Sequence, residues 1–206
     1  MLKNRANQNQ SLDKVETALV QNNVEAACQA LLDALLIDTE NDHNTRETAK
    51  RMAKMYVREV FAGRFSPKPV ITEFPNASSL DEVYTLGPIT VRSACSHHFV
   101  PITGKLWIGI LPSDKVIGIS KFVRLARWIM ARPHIQEEAI VMLADEIEKS
   151  ISPLGLGLIM DAQHHCMTWR GVKETETIMT SSIMRGQFRE NAPLRAEFMQ
   201  LVGGTR

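Results

Sequence analysis

Apolar positions in the first third of the chain recur at helical spacing. Leu12, Val15 and Leu19 share one face, as do Val24, Ala27, Leu31, Leu32 and Leu35, and Asn22-Asn23 between the two sets predicts a break. Thr48, Met52, Met55, Tyr56 and Val60 predict a third helix after Asn44, with Gly63 following its end. Pro67, Pro69 and Pro75 make 65–79 an extended connector. From Val83 the pattern becomes that of strands. Residues 83–94 and 99–111 form one pair, with Thr103-Gly104 and Pro112-Ser113-Asp114 read as turns. Ser120 then caps a helix to about residue 130, Pro133 interrupts, and a second helix covers 135–150. Residues 154–162 and 167–172 return to strand, followed by 175–184, and Asn191 with Pro193 opens a last helix bearing Leu194, Phe198 and Leu201. Strands grouped in antiparallel pairs with helices between them indicate an α+β fold. The predicted organisation is a disordered polar tail over 1–10, a helical region over 11–65 and a mixed region over 66–206.

Composition narrows the function classes. The 206 residues are 44% hydrophobic and 23% charged, enough for one ordinary core. A formal net charge of +1 leaves no global basic field for nucleic acid, so any anion site is local. No window approaches the roughly 18 consecutive apolar residues that span a bilayer. The Asn/Gln-rich start has no apolar signal core, and the expectation is a cytoplasmic protein with no membrane contact. Three cysteines (Cys28, Cys95 and Cys166) in a reducing compartment argue against a disulfide framework and leave metal binding or catalysis open.

Two clusters carry the candidate chemistry: Cys95-Ser96-His97-His98 and His164-His165-Cys166. Zinc favours thiolate and imidazole in tetrahedral geometry, and a catalytic site keeps three protein ligands with the fourth position for water. Cys95 and His98, at i and i+3, meet one ion if the chain turns between them, and Cys166 completes the set from a distant strand. His97 and His164 are then left beside the metal for proton transfer. The plainer reading is buried cysteine core, and for Cys28, on the apolar face of an early helix, that reading is preferred. A closed structural zinc with a spare histidine as fourth ligand fits the same spacing. Spacing alone does not decide.

Cations and polar groups gather in other short stretches. Ser120, Lys121 and Arg124 lie at a predicted helix start, where free N–H groups and the macrodipole favour an anion. Arg51 and Lys54 form a similar pair, and Arg170 follows the second cysteine–histidine cluster. Each alone reads as solvated surface charge; together with a metal they suggest a polyphosphate. Gln136-Glu137 pairs an amide with a carboxylate, a combination that can read a guanine edge, although an exposed helix start explains it as well.

These segments resemble, in order, the motifs of the GTP cyclohydrolase I family. Glu47-Thr48-Ala49-Lys50-Arg51-Met52-Ala53-Lys54-Met55 resembles its E-T-P-x-R-x-A-x-M helix, and Cys95-Ser96-His97-His98-Phe99-Val100-Pro101 resembles C-E-H-H-x-x-P. Val116-Ile117-Gly118-Ile119-Ser120-Lys121 with Arg124 resembles V-I-G-L-S-K-x-x-R. Arg132-Pro133-His134-Ile135-Gln136-Glu137 resembles R-P-Q-V-Q-E, and His164-His165-Cys166-Met167 with Arg170-Gly171 resembles H-x-C-M-x-x-R-G. The resemblance spans about residues 47–202. It implies zinc on Cys95, His98 and Cys166, acid/base roles for His97 and His164, and guanine recognition by Gln136 and Glu137. Triphosphate contacts would come from Ser120, Lys121, Arg124 and Arg170, with Arg51 and Lys54 reaching across a subunit boundary. It also implies the tunnelling fold: an antiparallel sheet with helices on one face, joined into a barrel in a homo-oligomer, usually a decamer of two pentamers. The implied reaction opens the purine ring of GTP, releases formate and gives 7,8-dihydroneopterin triphosphate, the first step toward pterins and tetrahydrofolate. Ser96 in place of Glu, Ala49 in place of Pro and the stretch Leu86-Gly87-Pro88-Ile89 depart from the family pattern. Ser96 keeps open a related tunnelling-fold enzyme acting on another purine nucleotide. A zinc-stabilised nucleotide-binding module without turnover is the reading from a different class.

Overall fold

The computed structural model describes residues 3–204. Helix α1 (Lys14–Ala34) opens on a capping box: Asp13 Oδ1 accepts from the backbone N–H groups of Val15 and Glu16, and Glu16 returns a carboxylate to the Asp13 N–H. It runs unbroken through Asn22-Asn23, where a break was expected. Two asparagines cost a helix only about 1 kcal/mol together, less than the cap and the buried Thr17, Cys28 and Leu32 return. Cys28 is core, packed with Leu32 and Ala49 where α1 meets α2 (Thr48–Lys54). The third helix is not uniform. α2 continues into a π-helical segment (Met55–Val60) and then α3 (Ala62–Phe65). Gly63 lies inside α3 instead of ending the helix, because α3 presses on the next helical layer: a Cβ there would sit 1.8 Å from the Trp128 carbonyl oxygen.

Of the polar start, Met1 and Leu2 lie outside the described residues. Further on, Asn9 Nδ2 donates to the carbonyls of Gly63, Arg64 and Ser66, and Gln10 N–H donates to Arg64 O. Arg64 in turn donates to the carbonyls of Arg5, Ala6 and Gln8.

The remaining elements are β1 (Glu73–Pro75), β2 (Tyr84–Cys95), β3 (Pro101–Leu111), β4 (Lys115–Ile117), α4 (Ile119–Met130), β5 (Pro133–His134), α5 (Gln136–Ile151), β6 (Gly155–His164), α6 (His165–Thr168), β7 (Met179–Gly186), α7 (Gln187–Glu190) and α8 (Ala192–Gly203). β1 and β4 pair with each other within the connector regions. The main sheet has the order β5-β2-β3-β6-β7. It is antiparallel except at its β5 edge, where the two-residue β5 runs parallel to β2. The predicted hairpin over 83–111 and the predicted strand over 154–162 are thus neighbours in one sheet, joined through β3 and β6, and β6 takes β7 as its other partner.

Strand alternation divides the core. Ile102, Leu106, Ile108 and Ile110 of β3 face α4 and α5 with Leu156, Leu158 and Met160 of β6. Trp107, Leu111 and Ile159 face the other way, under Phe188, Phe198 and Val202 of α7 and α8. Helices therefore cover both faces in part, a correction to the one-sided arrangement. The cause is readable: Gly109 and Gly157 leave a hollow on that second face, and the Phe198 ring fills it.

Several local expectations are corrected. Thr103-Gly104 is inside β3 and makes no turn; a Cβ at Gly104 would meet Asp161 O at 2.0 Å, so the glycine serves close strand approach. Ser120 does not cap α4, which starts one residue earlier after Gly118 with no side-chain cap. Residues 167–172 are not a strand. α6 is followed by a reversal with positive φ at Gly171 and Lys173, and β7 starts only at Met179. Asn191 does cap the last helix, accepting from the Leu194 N–H. Among the described residues no helix is long and apolar enough to cross a membrane.

Candidate metal centre

Sheet pairing brings the two donor clusters to one end of the molecule. Cys95 is the last residue of β2, and a tight turn returns the chain to β3, with Phe99 N–H donating to Cys95 O and Cys95 N–H to Val100 O. Across the sheet Ile102 is paired with His164, the last residue of β6, so α6 begins beside that turn. Register between β3 and β6 thus carries Cys166 to Cys95. Phe99 holds the turn together with a positive φ of 55°. A left-handed phenylalanine costs on the order of 1–3 kcal/mol, and its ring is packed edge-on against Phe61 at 5.1 Å and beside Tyr56 at 6.3 Å. Those rings come from α3's approach and the π-helical segment, which fixes the irregular helix to the metal turn.

One ligand atom each from Cys95, His98 and Cys166 falls within 4.8 Å of the others. Cys95 is buried, Cys166 half-buried and His98 exposed, so the group opens to one side. His97 N–H donates to Cys95 Sγ at 3.4 Å. Burial first, and then the neighbouring Cys95 sulfur, push the Cys166 thiol up, while the Arg170 guanidinium opposes them. The Cys166 sulfur in this position resists carrying negative charge and would lose that resistance with a divalent cation beside it. Two thiols and an imidazole, on the borderline of soft and hard, suit zinc among common metals. The donor set fits the ion.

The other expected site residues divide into those gathered here and those standing elsewhere. Arg170 Nη1 lies 3.2 Å from His98 Nε2. His97 is exposed, its ring 6.4 Å from that of His98 and nearly perpendicular to it. His164 is half-buried and its Nε2 is 2.7 Å from Gln136 Oε1. Burial lowers the His164 pKa, and the exposed Glu137 carboxylate works against that. Ser120, Arg124, Arg51 and Lys54 are exposed and, among the described residues, make no hydrogen bond or ion pair to this group. Lys121 donates instead to Val70 O at 3.1 Å. Sequence reasoning missed Ser181, whose Oγ is 2.6 Å from Gln136 Nε2. A signal existed: Ser181 occupies an inward register position in β7, opposite Met160, where an apolar residue is the ordinary choice.

Comparison with known proteins agrees with this geometry. Residues 24–203 match the family model described as GTP cyclohydrolase I. The GTP cyclohydrolase 1 of Erwinia tasmaniensis is 34% identical over 84% of this chain and 78% of its own. That of Rhodopirellula baltica is 35% identical over 87% and 77%, and that of Edwardsiella ictaluri 33% over 87% and 81%. A solved archaeosine synthase is similar over 58% of this chain and 97% of its own at 12% identity, with a TM-score of 0.40, too low to bear on the fold. The match extends upstream of the motifs into α1, from residue 24 onward. With 24–203 covered and relatives at a third identity over most of both chains, this protein belongs to the GTP cyclohydrolase I family.

Proposed function

We propose that the protein hydrolyses the purine ring of GTP, releasing formate and giving 7,8-dihydroneopterin 3'-triphosphate. The observation that carries the reading is the convergence of Cys95, His98 and Cys166 with His164 at one sheet end, in a chain of this family. Cys95, His98 and Cys166 would hold zinc. When bound, such an ion acts as a Lewis acid that lowers the pKa of water toward ~7 and supplies the hydrolytic nucleophile.

The chain's own groups supply the proton chemistry and the grip on substrate. Protonation of the purine N7 makes C8 electrophilic, and His164 and His97 would deliver that proton and later recover it. Their work continues after formate leaves, because ribose opening, the Amadori-type shift and reclosure each move protons. Glu137, exposed beside His164, is a carboxylate suited to the N1–H and amino edge of guanine. Ser120, Lys121, Arg124 and Arg170 are the proposed triphosphate contacts, with Arg51 and Lys54 serving a neighbouring subunit's site. Exposure, with no ion-pair partner among the described residues, leaves Arg124, Arg51 and Lys54 ready for that use. Lys121 would exchange the Val70 carbonyl for phosphate.

A homodecamer that closes its sheets into a barrel is part of the proposal. β7 ends the sheet with an outer edge that has no partner strand among the described residues, and such edges are normally covered or paired. A cytoplasmic setting suits three unpaired cysteines. The test is zinc-replete protein with GTP, following formate and a pterin chromophore together. Absence of formate with zinc bound would reject the reaction. Cys166→Ser is expected to lose zinc and turnover while the oligomer persists; His164→Ala is expected to keep zinc and lose turnover.

A further inference from the structure

We propose that Gln136 is a positioning residue for His164, fixing its tautomer so that Nδ1 is the nitrogen with which this histidine takes and gives protons. The proposal deepens the reading of the site given above and rests on it. Gln136 is the first residue of α5 and is fully buried, with 0% exposure. Its Nε2 lies 3.1 Å from Met160 O, 3.0 Å from Met179 O and 2.6 Å from Ser181 Oγ. Two of these three are backbone carbonyls, which only accept. The NH2 end of the amide must therefore face them. The opposite orientation would set Oε1 against two carbonyl oxygens in a place closed to water and leave both carbonyls without this donor, with only the Ser181 hydroxyl able to donate to it. This settles the amide by chemistry, since oxygen and nitrogen are otherwise hard to tell apart.

The other end of the amide then has one possible action. Oε1 stands 2.7 Å from His164 Nε2 and can only accept, so Nε2 carries the hydrogen. A neutral imidazole has one N–H, and with that hydrogen on Nε2 the lone pair is on Nδ1. The two carbonyls that take the two amide hydrogens, and the Ser181 hydroxyl beside them, come from two strands whose register places Met160 opposite Ser181 and Ala162 opposite Met179. β6 and β7 thus orient the amide, and the amide orients the ring. A side chain with both ends engaged and no exposed surface has nothing to offer a base; that task falls to Glu137, the next residue and an exposed one.

The test uses the zinc-loaded protein with ring-15N histidine, by solid-state NMR at about pH 8, above the ordinary imidazole pKa. His164 is assigned by its loss in His164→Ala. The expected spectrum has His164 protonated at Nε2 and bare at Nδ1. Gln136→Met, of similar length and without hydrogen-bonding groups, should lose that preference while zinc stays at one per chain. In GTP turnover the same variant should keep KM within about threefold and drop kcat by roughly 100-fold, the lower end of what a placed acid/base group contributes. A wild-type His164 protonated at Nδ1 instead would overturn the proposal, and this reading stands even where Gln136→Met fails to fold. A Gln136→Met enzyme with raised KM and unchanged kcat would also overturn it, because that is the signature of a lost base contact. Wild-type protein releasing no formate would strike the reaction itself, and the nitrogen spectrum would still decide the tautomer.

Discussion

Cys166 begins from an unfavourable position for an anion, raised by burial and by a second sulfur close by. Zinc binding must displace at least its proton, so metal affinity is tied to pH. Apparent zinc affinity, measured by chelator competition, should fall about tenfold or more for each pH unit below 7. A flat profile would mean that Cys166 is not a ligand. His134 is a second titrating group with a different consequence. It is 1% exposed, donates from Nε2 to Ile129 O, and its pKa is lowered to about 4, chiefly by burial, with Arg132 adding to the effect. The unfolded chain takes up a proton near 6.5 and the folded one does not. Stability from this residue is thus complete above about pH 6.5 and is lost as the pH falls toward 4, by up to roughly 3 kcal/mol. The stability difference between wild type and His134→Gln in urea should narrow between pH 7 and pH 5. At this level the three candidate metal donors were legible because cysteine and histidine are few and fell in two short clusters. The engagement of Gln136 was not, because it depends on which residues of β6 and β7 stand opposite each other, and no local pattern states that.

Elements were legible where periodicity was strong and misread where one residue type serves two purposes. Glycine signals a turn and also a close approach of two backbones. At Thr103-Gly104 and at Gly63 the second meaning was the true one. Asn22-Asn23 failed as a break because a good cap and a packed face outweigh weak local preference. The 167–172 stretch is apolar enough for a strand, yet it follows directly on Cys166 and must reverse the chain, and Gly171 with Lys173 does so through positive φ. These packing contacts also make a test. Gly104→Ala would drive a methyl into Asp161 O at 2.0 Å and Ala162 Cα at 2.7 Å, backbone atoms that move only with the strand. A loss of about 2 kcal/mol or more in urea unfolding is expected. Weaker zinc binding should accompany it, because the same pairing of β3 with β6 brings Cys166 into place. An unaffected metal affinity would separate the pairing from the site.

For the molecule, one chain's pattern displays an edge strand but cannot say what covers it, and only the family resemblance suggested a barrel of several copies. Light scattering on the zinc-loaded protein should give a mass near ten times the 23.1 kDa chain, and a monomer at micromolar concentration would refute the shared-site arrangement. The spread of the ligands along the chain has one more consequence. Cys95 and His98 belong to a single turn, whereas Cys166 arrives only when β6 has zipped onto β3. An ion captured early finds two donors and no third, so it cannot template the chain as it does in small zinc fingers. Stopped-flow refolding should therefore run equally fast with zinc or with a chelator, and the metal should be felt only as slower unfolding. An ion bound there would be a latch that closes behind a finished sheet.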